Sequence, residues 1–326
     1  MFVAVLLVVL GIGLLVVGGE TLLRGSVGLA TVLSLTPAVI GLTVVAAGTS
    51  IPELAVSGVA AVQGSPDIAV ANVVGSNIFN ITVIIGICAI VRPFPILGNT
   101  LRLEYPALAI VTIVVVVLLQ DRWVGRLDAI LFVGLYVTFT AYLIRVVRRQ
   151  MSTREVKRME AETAELESSE LESDRPPKAW LSILLVVVGI ILLGLGAQAT
   201  VSGASQLARL WGWSERLIGL TIVSAGTGLP EVVASLVSSI RGRSDIALGN
   251  VIGSNIFNLL IVLGFSGLLA PLPVLPGIAG GDCWWMLGTT LLLLPIILNG
   301  KKVYRWEGFA LLVIYGIYMI YLNQTA

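Results

Sequence analysis

Two glutamates stand in matching settings. Glu53 closes the stretch GTSIPE at 48–53, and Glu231 closes GTGLPE at 226–231. Each follows a proline, Pro52 or Pro230, and each has a threonine four residues earlier, Thr49 or Thr227. Ser50 lies three residues before Glu53. Spacings of three and four share one helix face, so hydroxyls and carboxylate converge. Ser76 and Asn80 are also four apart, as are Ser254 and Asn258. The collected donors are all oxygens. The chain has no histidine, and its two cysteines, Cys88 and Cys283, are far apart. Such a set suits a hard cation such as Na⁺ or Ca²⁺ and not zinc or copper. The prolines add a second effect. Each lacks an N–H and pushes away the carbonyl four residues back, Gly48 or Gly226, and freed carbonyls in transporters serve bound ions.

The surroundings of these residues make them costly. Of the 326 residues, 57% are hydrophobic and 12% charged, against about 45–50% and about 25% in soluble domains. With a mean hydropathy of +1.00 this is a polytopic membrane protein. A span needs roughly 20 apolar residues. Ten segments qualify: 2–23, 37–62, 67–91, 104–120, 126–146, 179–207, 215–240, 245–270, 283–299 and 305–322. The N-terminal MFVAVLL lacks a positive region and reads as a first span, not a leader. Both glutamates fall inside spans, where a carboxylate costs about 2.5–3.5 kcal/mol. No Lys or Arg in the core of those spans pairs with them. One such acid is explained by a protonated group bonded to a neighbouring helix. Two in one motif are better explained by a cation between them.

Shifting the sequence by 178 superposes GLTVVAAGTSIPE (41–53) on GLTIVSAGTGLPE (219–231). It also superposes DIAVANVVGSNIFN (67–80) on DIALGNVIGSNIFN (245–258). From Gly41/Gly219 to Gly86/Gly264 the register has no gap, and 24 of 46 positions are identical. A repeat at fixed offset sets the fold reading. The expected domains are a five-helix repeat over 1–147 with its motif at 41–86, a charged linker over 148–178, and a second repeat over 179–326 with its motif at 219–264. Five spans per half is odd, so the second half enters the membrane the other way up, as in many secondary transporters. The fold class is therefore an all-α membrane protein of ten helices in two inverted repeats. Placing both termini outside puts 16 of the 20 Lys and Arg residues on the cytoplasmic side, with the linker supplying half of them. The location is the cell membrane, with the linker cytoplasmic.

Other polar residues have blander readings. GSN at 75–77 and 253–255 predicts a local break or a close helix crossing, with glycine admitting the neighbour. Asn72 and Asn250 bond to facing helices or support ligands. Asp67 and Asp245 read as N-terminal caps. Glu20 and Gln198 are repeat mates with no assigned role. An enzyme is not expected. A serine type lacks a histidine base, and the aspartates lie at span ends, not mid-span. A channel is disfavoured by the duplication and the broken helices.

At these residues the sequence resembles the cation/calcium exchanger superfamily, whose mark is two homologous inverted repeats. GTS-x-PE looks like its sodium/calcium exchanger branch, and the short linker looks prokaryotic. The resemblance implies a central ion site from the second and third helices of each repeat. Carried over by position, the carboxylates are Glu53 and Glu231. The hydroxyls are Thr49, Ser50, Thr227, Ser76 and Ser254, and the carbonyls those of Ala46 and Ser224. Asn80 and Asn258 face each other across the pseudo-axis. Two departures bear on coupling: Gly228 stands where Ser50 is in the first repeat, and Asn258 where some members have Asp. The expected function is Na⁺/Ca²⁺ antiport by alternating access, with Ca²⁺/H⁺ or other cation/Ca²⁺ antiport as the alternative. Ca²⁺ and Na⁺ are cargo, and no cofactor is expected. The partners are inorganic cations and lipid, with neither nucleic acid nor an obligate protein, so a monomer suffices.

Overall fold

A computed structural model describes residues 1–96, 103–150, 178–213, 224–298 and 302–325. The linker expected at 148–178 lies, over 151–177, outside the described residues, as does the start of the span expected at 215–240.

The described chain is almost wholly helical. The first half runs α1 (Phe2–Leu33), α2 (Pro37–Thr49), α3 (Ile51–Val62), α4 (Pro66–Val91), α5 (Tyr105–Asp121) and α6 (Arg126–Val147). The second runs α7 (Ala179–Leu210), α8 (Ser224–Thr227), α9 (Leu229–Ile240), α10 (Ser244–Leu269), α11 (Ile278–Leu298) and α12 (Arg305–Gln324). Among the described residues seven helices are long and apolar enough to cross a membrane, or eight if the bent pair α2–α3 counts as one span. In lipid every backbone polar group must be satisfied within the segment, which leaves helices as the default here. The chain is thus a multi-pass membrane protein.

Burial sorts the helices. In α10 94% of the most apolar window is buried within the protein, and in α4 67%; in α1, α6, α7 and α12 the share is 28% or less. The two helices carrying GSNIFN therefore form the centre, and the lipid-facing helices surround it. This explains how α4 and α10 tolerate Ser and Asn at membrane depth: protein, not lipid, surrounds them.

The contacts recur between the halves, with partners at an offset of 178 or, for Val124/Val303 and Tyr136/Tyr315, 179. Four two-residue strands are β1 (Phe94–Pro95), β2 (Trp123–Val124), β3 (Leu272–Pro273) and β4 (Lys302–Val303). β1 pairs antiparallel with β4, and β2 with β3. Phe94 faces Val303, while Leu272 faces Val124. The Phe79–Tyr315 edge contact, at 5.7 Å, is matched by Phe257–Tyr136 at 5.6 Å. Asn72 Nδ2 donates to Ser57 Oγ at 2.9 Å, and Asn250 Nδ2 donates to Ser235 Oγ at 2.9 Å.

α1 and α7 pack along glycines. A Cβ on Gly25 would lie 2.6 Å from Val186 N, and one on Gly203 2.9 Å from Val8 N. A Cβ on Gly18 would meet the Gly189 carbonyl at 3.1 Å, and one on Gly196 the Gly11 carbonyl at 2.8 Å. Absence of side chains lets the backbones touch and leaves no knobs to lock the register.

The sequence reading needs adjustment at three places. α1 runs on past 23 to Leu33, where Ser34 closes it in a left-handed conformation, φ 51°. The expected break at GSN is absent. The helix continues through Gly75–Asn77 and Gly253–Asn255, and the irregularity comes next, as π turns at Asn80–Ile84 and Asn258–Val262. The close crossing occurs at Gly253, whose hydrogen faces the Leu42 carbonyl, whereas Gly75 meets nothing. Asp67 and Asp245 lie inside the first turns of their helices, not at the caps, and no side-chain cap bond forms there. Their carboxylates act on the helix dipole, and Asp245 also pairs with Arg243 at 3.3 Å.

The packing predicts contrasting outcomes for two glycines of α7. Gly189→Ala places a methyl 2.6 Å from Leu22 N and should destabilise by about 1–3 kcal/mol. Gly194→Ala meets nothing within 4 Å and should be neutral or stabilising by up to about 1 kcal/mol. Thermal unfolding in detergent measures both.

Candidate functional site

The site forms where two helices break. α2 ends at Thr49, α3 starts at Ile51, and the two are bent by 44°. Ser50 between them has φ −84° and ψ 10°; Gly228, between α8 and α9, has φ −80° and ψ −2°. Pro52 and Pro230 fall in the first turns of α3 and α9. There the missing N–H loses no helix bond, so proline terminates one helix and starts the next. Glu53 and Glu231 lie in those same first turns, where the positive end of the helix dipole stabilises a carboxylate. The C-terminal end of α2 points its carbonyls at the same place, which favours cations.

The two halves bond across each other. Ser50 Oγ donates to Glu231 Oε1 at 3.0 Å. In the opposite sense, the Thr227 hydroxyl is a hydrogen-bond partner of the Glu53 carboxylate. Thr49 Oγ1 lies 3.3 Å from Asn250 Oδ1 and 3.4 Å from the Ala46 carbonyl, which also accepts from Ser50 N at 3.1 Å. Asn80 Nδ2 donates to Asn255 Oδ1 at 3.0 Å, and Asn255 Nδ2 to the Asn77 carbonyl at 3.3 Å.

Both glutamates are 1% exposed. Each keeps one buried oxygen, Glu53 Oε2 and Glu231 Oε2, with no hydrogen-bond partner among the described residues; Ser254 Oγ and both amide atoms of Asn258 are in the same condition. An unpaired buried polar atom costs about 1–3 kcal/mol. Four of these atoms, on helices α3, α9 and α10, are oxygens of the kind a desolvated cation takes as ligands; the fifth, Asn258 Nδ2, is a donor and is not. No group of three or more Asp, Glu, His or Cys side chains that could hold a metal occurs among the described residues, so hydroxyls and amides complete any ligand set around the two acids.

The matched residues differ in access. Thr49, Ser254 and Asn250 are buried, whereas their counterparts Thr227, Ser76 and Asn72 are partly exposed. On the buried face α2 lies against α10, with Gly249 close to the Ala38 carbonyl and Gly253 against Leu42. The packing around the two buried carboxylates is therefore tighter on the α2–α10 face than on the other.

Of the expected ligands, Thr49, Ser50, Glu53, Thr227 and Glu231 are joined by the bonds above. Ser76, Asn80, Ser254 and Asn258 line the adjoining turns of α4 and α10. Ala46 offers its carbonyl toward Thr49, and Ser224 opens α8. Asn72 and Asn250 bond to the facing helices, and Asn250 also contacts Thr49, so both readings of this pair apply. Sequence reasoning passed over Ser57 and Ser235, although they are identical at the repeat offset. It also missed Phe79. A Cβ on Gly228 would lie 3.1 Å from Phe79 Cε1, so a ring edge stands beside the position where Ser50 has its hydroxyl. The Asn250 network predicts that Asn250→Ala lowers stability by about 1–3 kcal/mol by leaving the buried Ser235 hydroxyl without its donor. Asn72→Ala, partly exposed, should cost less; thermal unfolding with and without calcium measures both.

The family model described as "Sodium/calcium exchanger protein" matches twice, at residues 3–145 and 181–323. A putative antiporter, CaxA of Alkalimonas amylolytica, is 38% identical over 318 residues, 96% of each chain. The sodium/calcium exchanger MaX1 of Methanosarcina acetivorans is 33% identical over 345 residues, 97% of each. Among solved structures, the sodium-calcium exchanger NCX_Mj soaked without Na⁺ and Ca²⁺ aligns with a TM-score of 0.82 and 27% identity, covering 98% of this chain and 99% of that one.

Proposed function

Since the chain belongs to the sodium/calcium exchanger protein family, we propose that it is a secondary antiporter moving Na⁺ one way and Ca²⁺ the other through a site built on Glu53 and Glu231. The observation that carries this reading is the pair of buried carboxylates, each with an unpartnered oxygen and each bonded by the other half's hydroxyl. Thr49, Ser50, Thr227, Ser76, Ser254, Asn80 and Asn258 supply further oxygens, with the carbonyls of Ala46 and Ser224.

Exchange follows from charge. Two ionised carboxylates without a cation repel each other in a medium that screens poorly. Binding one Ca²⁺, or Na⁺ ions in its place, relieves that repulsion. Loaded forms therefore rearrange and the unloaded form does not, which couples the two fluxes. Both cargoes use the same carboxylates, so they bind in turn.

The architecture we propose is ten spans in two inverted five-helix repeats, over 1–147 and 179–326, joined by a cytoplasmic linker with both termini outside. The reciprocal strand pairs, ring contacts and amide–hydroxyl bonds support it, as does the double family match. The glycine-lined α1–α7 pair moves against the core of α2–α4 and α8–α10 to alternate access. On this reading the tightly packed α2–α10 face is the closed, cytoplasmic one, where Arg24, Arg92, Arg241 and Arg243 lie, and the conformation faces outward.

Calcium flux in reconstituted vesicles tests the reading, with a Na⁺ gradient in one set and a pH gradient in the other. We expect Na⁺-driven flux insensitive to the proton gradient. Flux driven only by pH would replace Na⁺ with H⁺ as the coupling ion. Glu53→Gln and Glu231→Gln should each reduce exchange by roughly a hundredfold or more, as loss of a buried ligand charge implies, while the protein still inserts. Near-normal flux in both would remove the site.

A further inference from the structure

Glu20 of α1 uses both carboxylate oxygens. Oε1 lies 3.3 Å from Arg24 Nε on the same helix, and Oε2 lies 2.9 Å from Arg241 Nε at the C-terminal end of α9. That end of α9 is also held by Arg92, whose guanidinium donates to the Ile240 carbonyl at 2.8 Å. A turn away Gly19 brings α1 against α9, where an added Cβ would lie 3.1 Å from Val237 and 3.2 Å from Val233. A helix of the glycine-lined pair is thus tied to the core by an interhelical ion pair, on the face where α2 packs against α10.

At the repeat offset the counterparts of Glu20 and Arg241 are Gln198 and Gln63. Both are exposed and neutral. The reciprocal contacts between α1 and α7 hold at this same offset, so the helix movement that separates Glu20 from Arg241 carries Gln198 toward Gln63. One closed state is latched by charge and the other is not.

We propose that Glu20 and Arg241 form an ionic latch that holds α1 on α9 and biases the protein toward the conformation closed on the Arg-rich face. This rests on the alternating-access reading above. The ligands Glu53 and Glu231 have no part in it. The pair is half-exposed, with side chains 48% and 25% accessible for Arg241 and Glu20, so its effect is modest. Exposed pairs of this kind shift a two-state population by roughly two- to fivefold.

Hydrogen–deuterium exchange of the full chain in lipid nanodiscs tests the latch with no flux measurement. Glu20→Gln and Arg241→Gln should each speed amide exchange over residues 37–49, which cover the closed face, by roughly two- to fivefold. The double variant Glu20→Gln/Arg241→Gln should do no more than either single change. Near-molar salt should reproduce the effect in the unmodified protein. Gln63→Arg with Gln198→Glu installs the counterpart latch and should slow exchange over 37–49. Unchanged exchange in both single variants, or additive effects in the double variant, would overturn the proposal. Absence of calcium exchange in the unmodified protein would overturn the transport reading, while the exchange pattern would still decide whether the ion pair acts as a latch.

Discussion

The rest of the structure is organised by one electrostatic constraint: two carboxylates lie buried inside a membrane protein and cannot be left bare. Each needs hydrogen bonds, each needs helix dipoles turned toward it, and each needs protein instead of lipid at its back. The broken helices answer the second need, because only a helix that stops at Thr49 and restarts at Ile51 presents both of its ends to the same point. The burial of α4 and α10 answers the third. The hydroxyls of Ser50 and Thr227 answer the first by reaching across to the other half's acid. Neither half completes its own carboxylate, so the site exists only when the halves are packed together.

Much of this was legible in the sequence, and the legible part follows from repetition. Glu53 and Glu231 stood out as charges in apolar runs, and the prolines beside them marked the breaks. Thr49, Thr227 and the serines of GSN carried weight because they recurred at one offset, and Ser50 because it lies three residues before Glu53. The same offset could have singled out Ser57 and Ser235, which are identical across the repeat. They escaped notice because serine in a membrane helix often bonds to its own backbone. The π turns at Asn80 and Asn258 were not readable. An asparagine in a helix signals irregularity somewhere, but only the packing of α4 and α10 decides that the extra residue is absorbed after Phe79 and Phe257. Phe79 was hidden for a different reason. Its neighbour at Gly228 is 149 residues away, and no local pattern joins a ring to a missing side chain.

Departures from repetition are as informative as the repetition itself. Ser50 has a hydroxyl and Gly228 does not, and Phe79 stands beside the difference. The hydroxyl supply to the two acids is therefore unequal: Glu231 is bonded by Ser50 and Thr49, whereas Glu53 is bonded by Thr227 and Gly228 offers no counterpart to Ser50. The partly exposed Thr227, Ser76 and Asn72 against the buried Thr49, Ser254 and Asn250 show a second inequality, this one of packing. The first is written into the chain and the second arises from how the two halves pack in this structure.

The strand pairs carry a consequence of another kind. β1–β4 and β2–β3 join one half to the other at two separate places, and the contact Phe94–Val303 is answered by Leu272–Val124. An interface in which residue i meets j while the mate of j meets the mate of i is isologous, the geometry of a two-fold homodimer. In such a dimer every substitution is made twice, once in each subunit, so no change can favour one side of the assembly over the other. Once both halves lie on a single polypeptide that restriction is gone. Gly228 and the charges at 20 and 241 are differences between the halves that a pair of identical subunits could not carry.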